Sequence, residues 1–135
     1  MRELEIEAEV QNLDTVLEFI VDAISGLPGK VRNKILLAAE EIFVNIAQYA
    51  YTSDTGKVVV RVASSGDTTI EFEDSGVPYD PLQKADPDIT LSAEEREIGG
   101  LGIFMAKSLM DSISYRRDKN KNILTIIKEI GSTKA

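Results

Sequence analysis

The chain contains no cysteine and no histidine. Without cysteine there are no disulfides and no thiolate chemistry, although this says little about redox compartment. The lack of histidine excludes more. Imidazole is unavailable as a general base, a phosphate carrier or a metal ligand, so acid–base work falls to carboxylates, lysines or tyrosines. No apolar run approaches the ~18 residues of a membrane span. Met1-Arg2-Glu3-Leu4-Glu5 lacks the basic start and apolar run of a signal peptide, so the expected location is cytoplasmic. An excess of positive charge is missing too: Lys and Arg number 15 against 23 Asp and Glu, a formal net charge of −8. That balance argues against a protein that tracks nucleic-acid phosphates through clustered cations. A nucleotide remains compatible where backbone N–H groups and a metal ion offset the repulsion.

What is present suits one globular domain over residues 1–135, at 43% hydrophobic and 28% charged. Residues 2–10 alternate, with Leu4, Ile6, Ala8 and Val10 opposite Glu3, Glu5, Glu7 and Glu9, which predicts a strand with one solvated face. Asn12 is the expected N-cap of a helix to about Ser25. Leu13, Val16, Leu17, Ile20 and Ile24 form its apolar stripe. After Gly26-Leu27-Pro28-Gly29, a second helix is expected from Lys30 to Ala50, burying Val31, Ile35, Ala39, Ile42, Ile46 and Tyr49. Two strands over 57–63 and 68–73 read as a hairpin. From Gly76 to Gly99 the pattern fails, and a prolonged acidic, Pro-containing connection of that kind is usually functional or disordered. Within it a short helix is expected around Ser92–Arg96. A helix carrying Ile103, Ala106, Met110 and Ile113 follows, then a hairpin of 114–117 and 122–130 turning at Asp118-Lys119-Asn120. Strands grouped in this way predict an α+β two-layer sandwich.

Three constellations carry chemistry. On a helix Glu41 and Asn45 stack one turn apart on one face, so a carboxylate and a carboxamide can address one small target. A solvated helix face would hold them equally well, but asparagine mid-helix is mildly unfavourable, and its carbonyl is a hard oxygen suited to Mg²⁺. Asp74-Ser75-Gly76 ends a strand; its carboxylate can accept from a ligand N–H and the glycine leaves room for a flat ring, although alone it reads as a turn. Gly99-Gly100-Leu101-Gly102 at a helix start offers free N–H groups and the positive dipole end to phosphate; alone it reads as a hinge. It is not a Walker A loop, because Ile103 and Phe104 follow Gly102. Nor is it a dinucleotide fingerprint, since Met105 stands at the third glycine.

In order, Glu41-x-x-x-Asn45, Asp74-x-Gly76, a long connection and Gly100-x-Gly102 resemble the N, G1 and G2 boxes of the GHKL ATPase superfamily. The resemblance runs from the first strand through Ile130. Glu73-Asp74-Ser75-Gly76-Val77-Pro78-Tyr79-Asp80-Pro81 together with Ile98-Gly99-Gly100-Leu101-Gly102-Ile103 is similar, more narrowly, to anti-sigma factor serine/threonine kinases of the RsbW and SpoIIAB type. The resemblance implies a Bergerat fold: a mixed sheet, helices on one face, and an ATP lid over about 77–99. It implies ATP and Mg²⁺ as ligands, with Asn45 holding the metal and Glu41 as general base. Asp74 would bind the adenine amino group with Gly76 beside the ring, and Gly100, Leu101 and Gly102 would give N–H groups to the phosphates. Arg96 would touch phosphate or a partner. The implied acceptor is a serine on a STAS-type anti-anti-sigma factor; a sigma factor is the second partner, the chain a homodimer, and neither nucleic acid nor membrane a direct partner. Three positions depart from the pattern. Pro78 replaces a second G1 glycine and Tyr49 a common histidine. Glu40 adjoins Glu41 as a rival base, but lies ~100° around the helix from it. The alternatives are a non-catalytic module that senses nucleotide and grips a regulatory partner, and a plain scaffold.

Overall fold

Alternation at the start of the chain yields β1 (Arg2–Glu7), whose Leu4 and Ile6 pack on the core while Glu3, Glu5 and Glu7 stay exposed. In the computed structural model, placements are described for residues 1–51, 56–64, 66–83 and 100–130. The alternation was expected to continue to Val10. Instead Ala8 is the last buried member, and Val10 opens a 3-10 turn (Val10–Asn12) with half its surface exposed. That turn leads directly into α1 (Leu13–Ala23). Asn12 occupies the cap position but does not cap with its side chain; its Nδ2 donates to the Glu7 carbonyl at 3.0 Å and ties the turn to β1. Val16, Ile20 and Ile24 are the buried stripe. Helix α2 (Gly29–Tyr49) begins after Pro28 and buries Ile35, Ala39, Ile42 and Ile46 as expected, widened by Ala38 and Phe43.

β2 (Lys57–Ala63) and β3 (Thr68–Asp74) alternate buried and half-buried residues. The connection between them uses Gly66 at φ +91°, a value that favours glycine. α3 (Gly100–Leu109) precedes β4 (Ser112–Asp118) and β5 (Lys121–Lys128). Lys119 and Asn120, at φ 52° and 67°, make the two-residue turn whose twist matches a tight hairpin. The expected helix around Ser92–Arg96 lies outside the described residues.

The strands order as β1-β2-β3-β5-β4, and every neighbouring pair is antiparallel. The two-layer α+β architecture is therefore as expected, but the sheet is antiparallel rather than mixed. A mixed sheet would need β4 beside β3. The β4–β5 hairpin docks instead through its second strand, which runs opposite to β3. One face of the sheet, with Val58, Val60, Val62, Ile70, Phe72, Leu124 and Ile126, shares a single core with the helices. On the other face Arg61 pairs with Glu3, Glu71 and Glu73.

Candidate functional site

The buried face of β3 runs Thr68, Ile70, Phe72, Asp74. The series thus ends in a carboxylate only 5% exposed. Its Oδ1 accepts two hydrogen bonds at 2.9 Å, from the Gly76 N–H and from Asn122 Nδ2. Asn122 lies opposite Asp74 in the β3–β5 register, and Arg117 lies opposite Asn122 across β5–β4. The inner face is thus apolar along most of its length and polar at one end. Burial raises the Asp74 carboxyl above its ordinary value of 3.8; the Asn122 and Gly76 hydrogen bonds and the Arg117 charge oppose this without cancelling it.

The turn after β3 is packed onto the end of α2. The Val77 N–H donates to the Ala50 carbonyl at 2.9 Å. A side chain at Gly76 would overlap that same carbonyl, so contact with α2 requires glycine there. Tyr51 adds a second tie, its hydroxyl donating to the Lys57 carbonyl at 2.6 Å and accepting from the Ser75 N–H at 2.9 Å. Between these elements opens a small cleft walled by Asn45, Asp74, Tyr79, Tyr115 and Asn122, with Ile46, Ala50, Pro81 and Leu124 as its apolar lining. The Tyr79 ring lies 6.0 Å from that of Tyr49, between centroids.

Asn45 is 8% exposed, and its carboxamide has no hydrogen-bond partner among the described residues. One turn earlier, Glu41 is half-buried. Burial, and secondly the charge of Glu40, raise its carboxyl above 4.5. A Cβ placed on Gly102 would stand 2.5 Å from Glu41 Oε2, so the first turn of α3 lies against that carboxylate. The structure therefore brings Asn45 and Asp74 to one cleft and sets Glu41 against Gly102, with Gly100 and Leu101 in the same helical turn. Arg96 lies outside the described residues.

Among the described residues no group of three or more acidic side chains could hold a metal ion. The donor set does fit a hard cation that takes one carboxamide oxygen and fills its remaining positions with water and phosphate. Sequence reasoning missed Tyr79, Tyr115, Arg117 and Asn122. A signal for the last two was present: the inward positions of the closing hairpin, Ile113, Tyr115, Arg117 and Asn122, Leu124, Ile126, turn polar at the end that meets Asp74.

A sheet covered by helices on one face, with a polar cleft between the end of an inner strand and a long helix, defines a two-layer α+β domain with a candidate ligand site. The chain belongs to the histidine kinase-like ATPase domain family, whose model matches residues 6–128, and its resemblance to the GHKL ATPase superfamily is borne out. Among curated proteins it is similar to the anti-sigma F factor of Clostridium perfringens, 27% identical over 126 residues that cover 92% of this chain and 81% of the relative. It is similar to the serine/threonine-protein kinase BtrW of Bordetella bronchiseptica, 26% identical over 100 residues, 73% of this chain and 70% of the relative. The serine-protein kinase RsbW of Bacillus cereus is 31% identical over 93 residues, 65% of this chain and 58% of that protein.

Proposed function

We propose that the chain is an ATP- and Mg²⁺-dependent protein serine/threonine kinase that also acts as an anti-sigma factor, transferring the γ-phosphoryl of ATP to a serine of a STAS-type anti-anti-sigma partner. The observation that carries this reading is the meeting of Asn45 and Asp74 in one cleft, with Glu41 one turn along α2 against the glycine-opened start of α3. The names of the relatives, anti-sigma F factor and serine-protein kinase, support a sigma factor and a serine-bearing protein as its targets. In this reading the chain is a single domain working as a cytoplasmic homodimer, with an ATP lid over about 77–99, of which 84–99 lie outside the described residues.

Asp74 accepts a hydrogen bond from the adenine amino group, and Asn45 contributes a carboxamide oxygen to Mg²⁺. When bound, Mg²⁺ supplies charge neutralisation on the phosphates. The first-turn N–H groups at Gly100, Leu101 and Gly102 give the phosphoryl oxygens fixed donors in place of water. As the serine Oγ–P bond forms and the bond from the γ-phosphorus to the β,γ-bridging oxygen breaks, Glu41 takes the hydroxyl proton and ADP departs. The upward shift of Glu41 makes it a stronger base than an exposed glutamate. Histidine being absent, no phosphohistidine forms on this chain.

Incubation with labelled ATP, Mg²⁺ and the cognate STAS protein tests the reading. Label on the partner's serine is expected, with Glu41→Gln binding ATP but not transferring and Asn45→Ala losing Mg²⁺-dependent binding. Transfer at the wild-type rate by Glu41→Gln removes Glu41 as the base. Nucleotide binding with no transfer by the wild type leaves a sensing module instead.

A further inference from the structure

We propose that Asn122, held by Tyr115 and Arg117, is a positioning residue that fixes Asp74 as a one-sided acceptor and thereby selects a 6-aminopurine over a 6-oxopurine. The inference rests on the reading of the cleft as a nucleotide site and concerns which base that site takes.

Asn122 is 6% exposed and uses its whole hydrogen-bonding capacity. Its Nδ2 donates to Asp74 Oδ1 at 2.9 Å and to the Val77 carbonyl at 2.8 Å. Its Oδ1 accepts from the Tyr115 hydroxyl at 2.5 Å and from Arg117 Nη1 at 3.1 Å. A guanidinium can only donate, so the end of the carboxamide facing Arg117 must be oxygen. The NH₂ end is therefore committed to Asp74, and a flipped amide would set N–H against N–H. Arg117 is itself anchored, donating to the Gly76 carbonyl at 2.9 Å. The register makes this local: Asp74, Asn122 and Arg117 are successive cross-strand partners on β3, β5 and β4.

Both bonds that Asp74 receives fall on Oδ1, and Oδ2 receives none from a described residue. An ionised carboxylate fixed in this way offers only an acceptor. A 6-amino group donates to it, whereas a 6-oxo group sets lone pair against lone pair in a buried place, which is costly. Loss of the Asn122 N–H removes a bond that favours the charged form of a carboxyl already pushed up by burial. A protonated carboxyl can donate to a 6-oxo group, so the selectivity would fade. The other ionisable groups around Asp74 are Tyr115 and Arg117 from β4, Tyr79 after β3, Tyr51 after α2, and Glu73, which is turned to the opposite face and paired with Arg61 and Lys121.

The test measures equilibrium binding of ATP and of inosine triphosphate, each with Mg²⁺, to the full chain and to Asn122→Leu, Arg117→Gln and Tyr115→Phe. The wild type is expected to prefer ATP by roughly tenfold or more. Asn122→Leu should bring the two affinities close together, and closer still as pH is lowered from about 8 to about 5, where carboxyls protonate. The Arg117 and Tyr115 variants should narrow the preference in part, and they decide the matter if Asn122→Leu does not fold. A merely structural role would weaken both nucleotides in proportion. An unchanged ratio in these variants overturns the inference while leaving the nucleotide site intact. Wild-type protein that binds neither nucleotide overturns the site itself.

Discussion

Asp74 and its chain neighbour Glu73 are carboxylates placed in opposite surroundings by the two-residue period of β3. Glu73 points to the open face. Burial there would raise it, but hydrogen bonds from Lys121 and Arg61 outweigh this and hold it below 4.5. Asp74 points inward and is raised. Two neighbouring acids driven apart in this way make the inward one the candidate for a ligand. The sign of the linkage follows. A raised folded-state value means that the native state binds the proton more tightly than the unfolded chain does, so the Asp74 contribution is favourable below 3.8 and is lost as pH rises through the folded value. Asp74→Asn keeps an oxygen for the Gly76 and Asn122 donors and removes the buried charge. Its melting temperature at neutral pH is expected to equal or exceed that of the wild type while nucleotide binding is lost, checked by thermal denaturation beside a binding titration. Glu41, raised for the same first reason, should give a transfer rate that climbs with pH through a value above 4.5. Thr68 is a residue of another kind. It is fully buried, and its hydroxyl has no hydrogen-bond partner among the described residues. Thr68→Val should stabilise the fold by about 1 kcal/mol, since it deletes an unpaired buried polar group and keeps the branched shape; a lower denaturation midpoint would contradict this.

At the scale of elements, two glycines serve different contacts. Gly76 lies against the backbone carbonyl of Ala50, which cannot yield without breaking the end of α2. Gly76→Ala should therefore destabilise by about 2 kcal/mol or more, read from chemical denaturation. Gly102 meets the Glu41 side chain most closely at its terminal Oε2, which can swing away. Gly102→Ala should leave the melting temperature nearly unchanged and depress phosphoryl transfer by moving the base, a split that transfer kinetics beside a melt would show. Sequence made the glycine-rich helix start legible through its order after Glu41-x-x-x-Asn45 and Asp74-x-Gly76, since alone it reads as a hinge. It did not separate these two roles, because both contacts join segments distant in the chain. The same holds elsewhere. Periodicity located α2 to within one residue at each end, since a long amphipathic stripe is a local signal. It ran β1 on to Val10, because a 3-10 turn leaves no periodic mark in three residues. The cap at Asn12 failed because Glu7 offered its side chain a better partner. Asp74 was legible as a strand-end acid, but its partner Asn122 was not, since cross-strand register is set by the whole sheet.

For the whole molecule, the ledger of charge bears on the ligand. The chain carries a net −8, with acids exceeding bases by 23 to 15. On the open face of the sheet Arg61 contacts Glu3, Glu71 and Glu73, and Lys121 contacts Glu73 as well. These pairs hold two of the chain's cations on the face turned away from the core. In the proposed reading the phosphates are held by fixed dipoles and a divalent ion, which act at short range, against a long-range field that repels anions. Salt screens the long-range part within about 10 Å at 0.1 M and leaves contacts in a closed cleft largely intact. At saturating Mg²⁺, nucleotide affinity should accordingly hold steady or rise as KCl is increased. A site built on lysine and arginine would instead lose affinity steeply with the logarithm of salt concentration. Titrations of nucleotide across a salt series distinguish these, and a steep loss would mean that cations of the chain, rather than helix N–H groups and Mg²⁺, carry the phosphates.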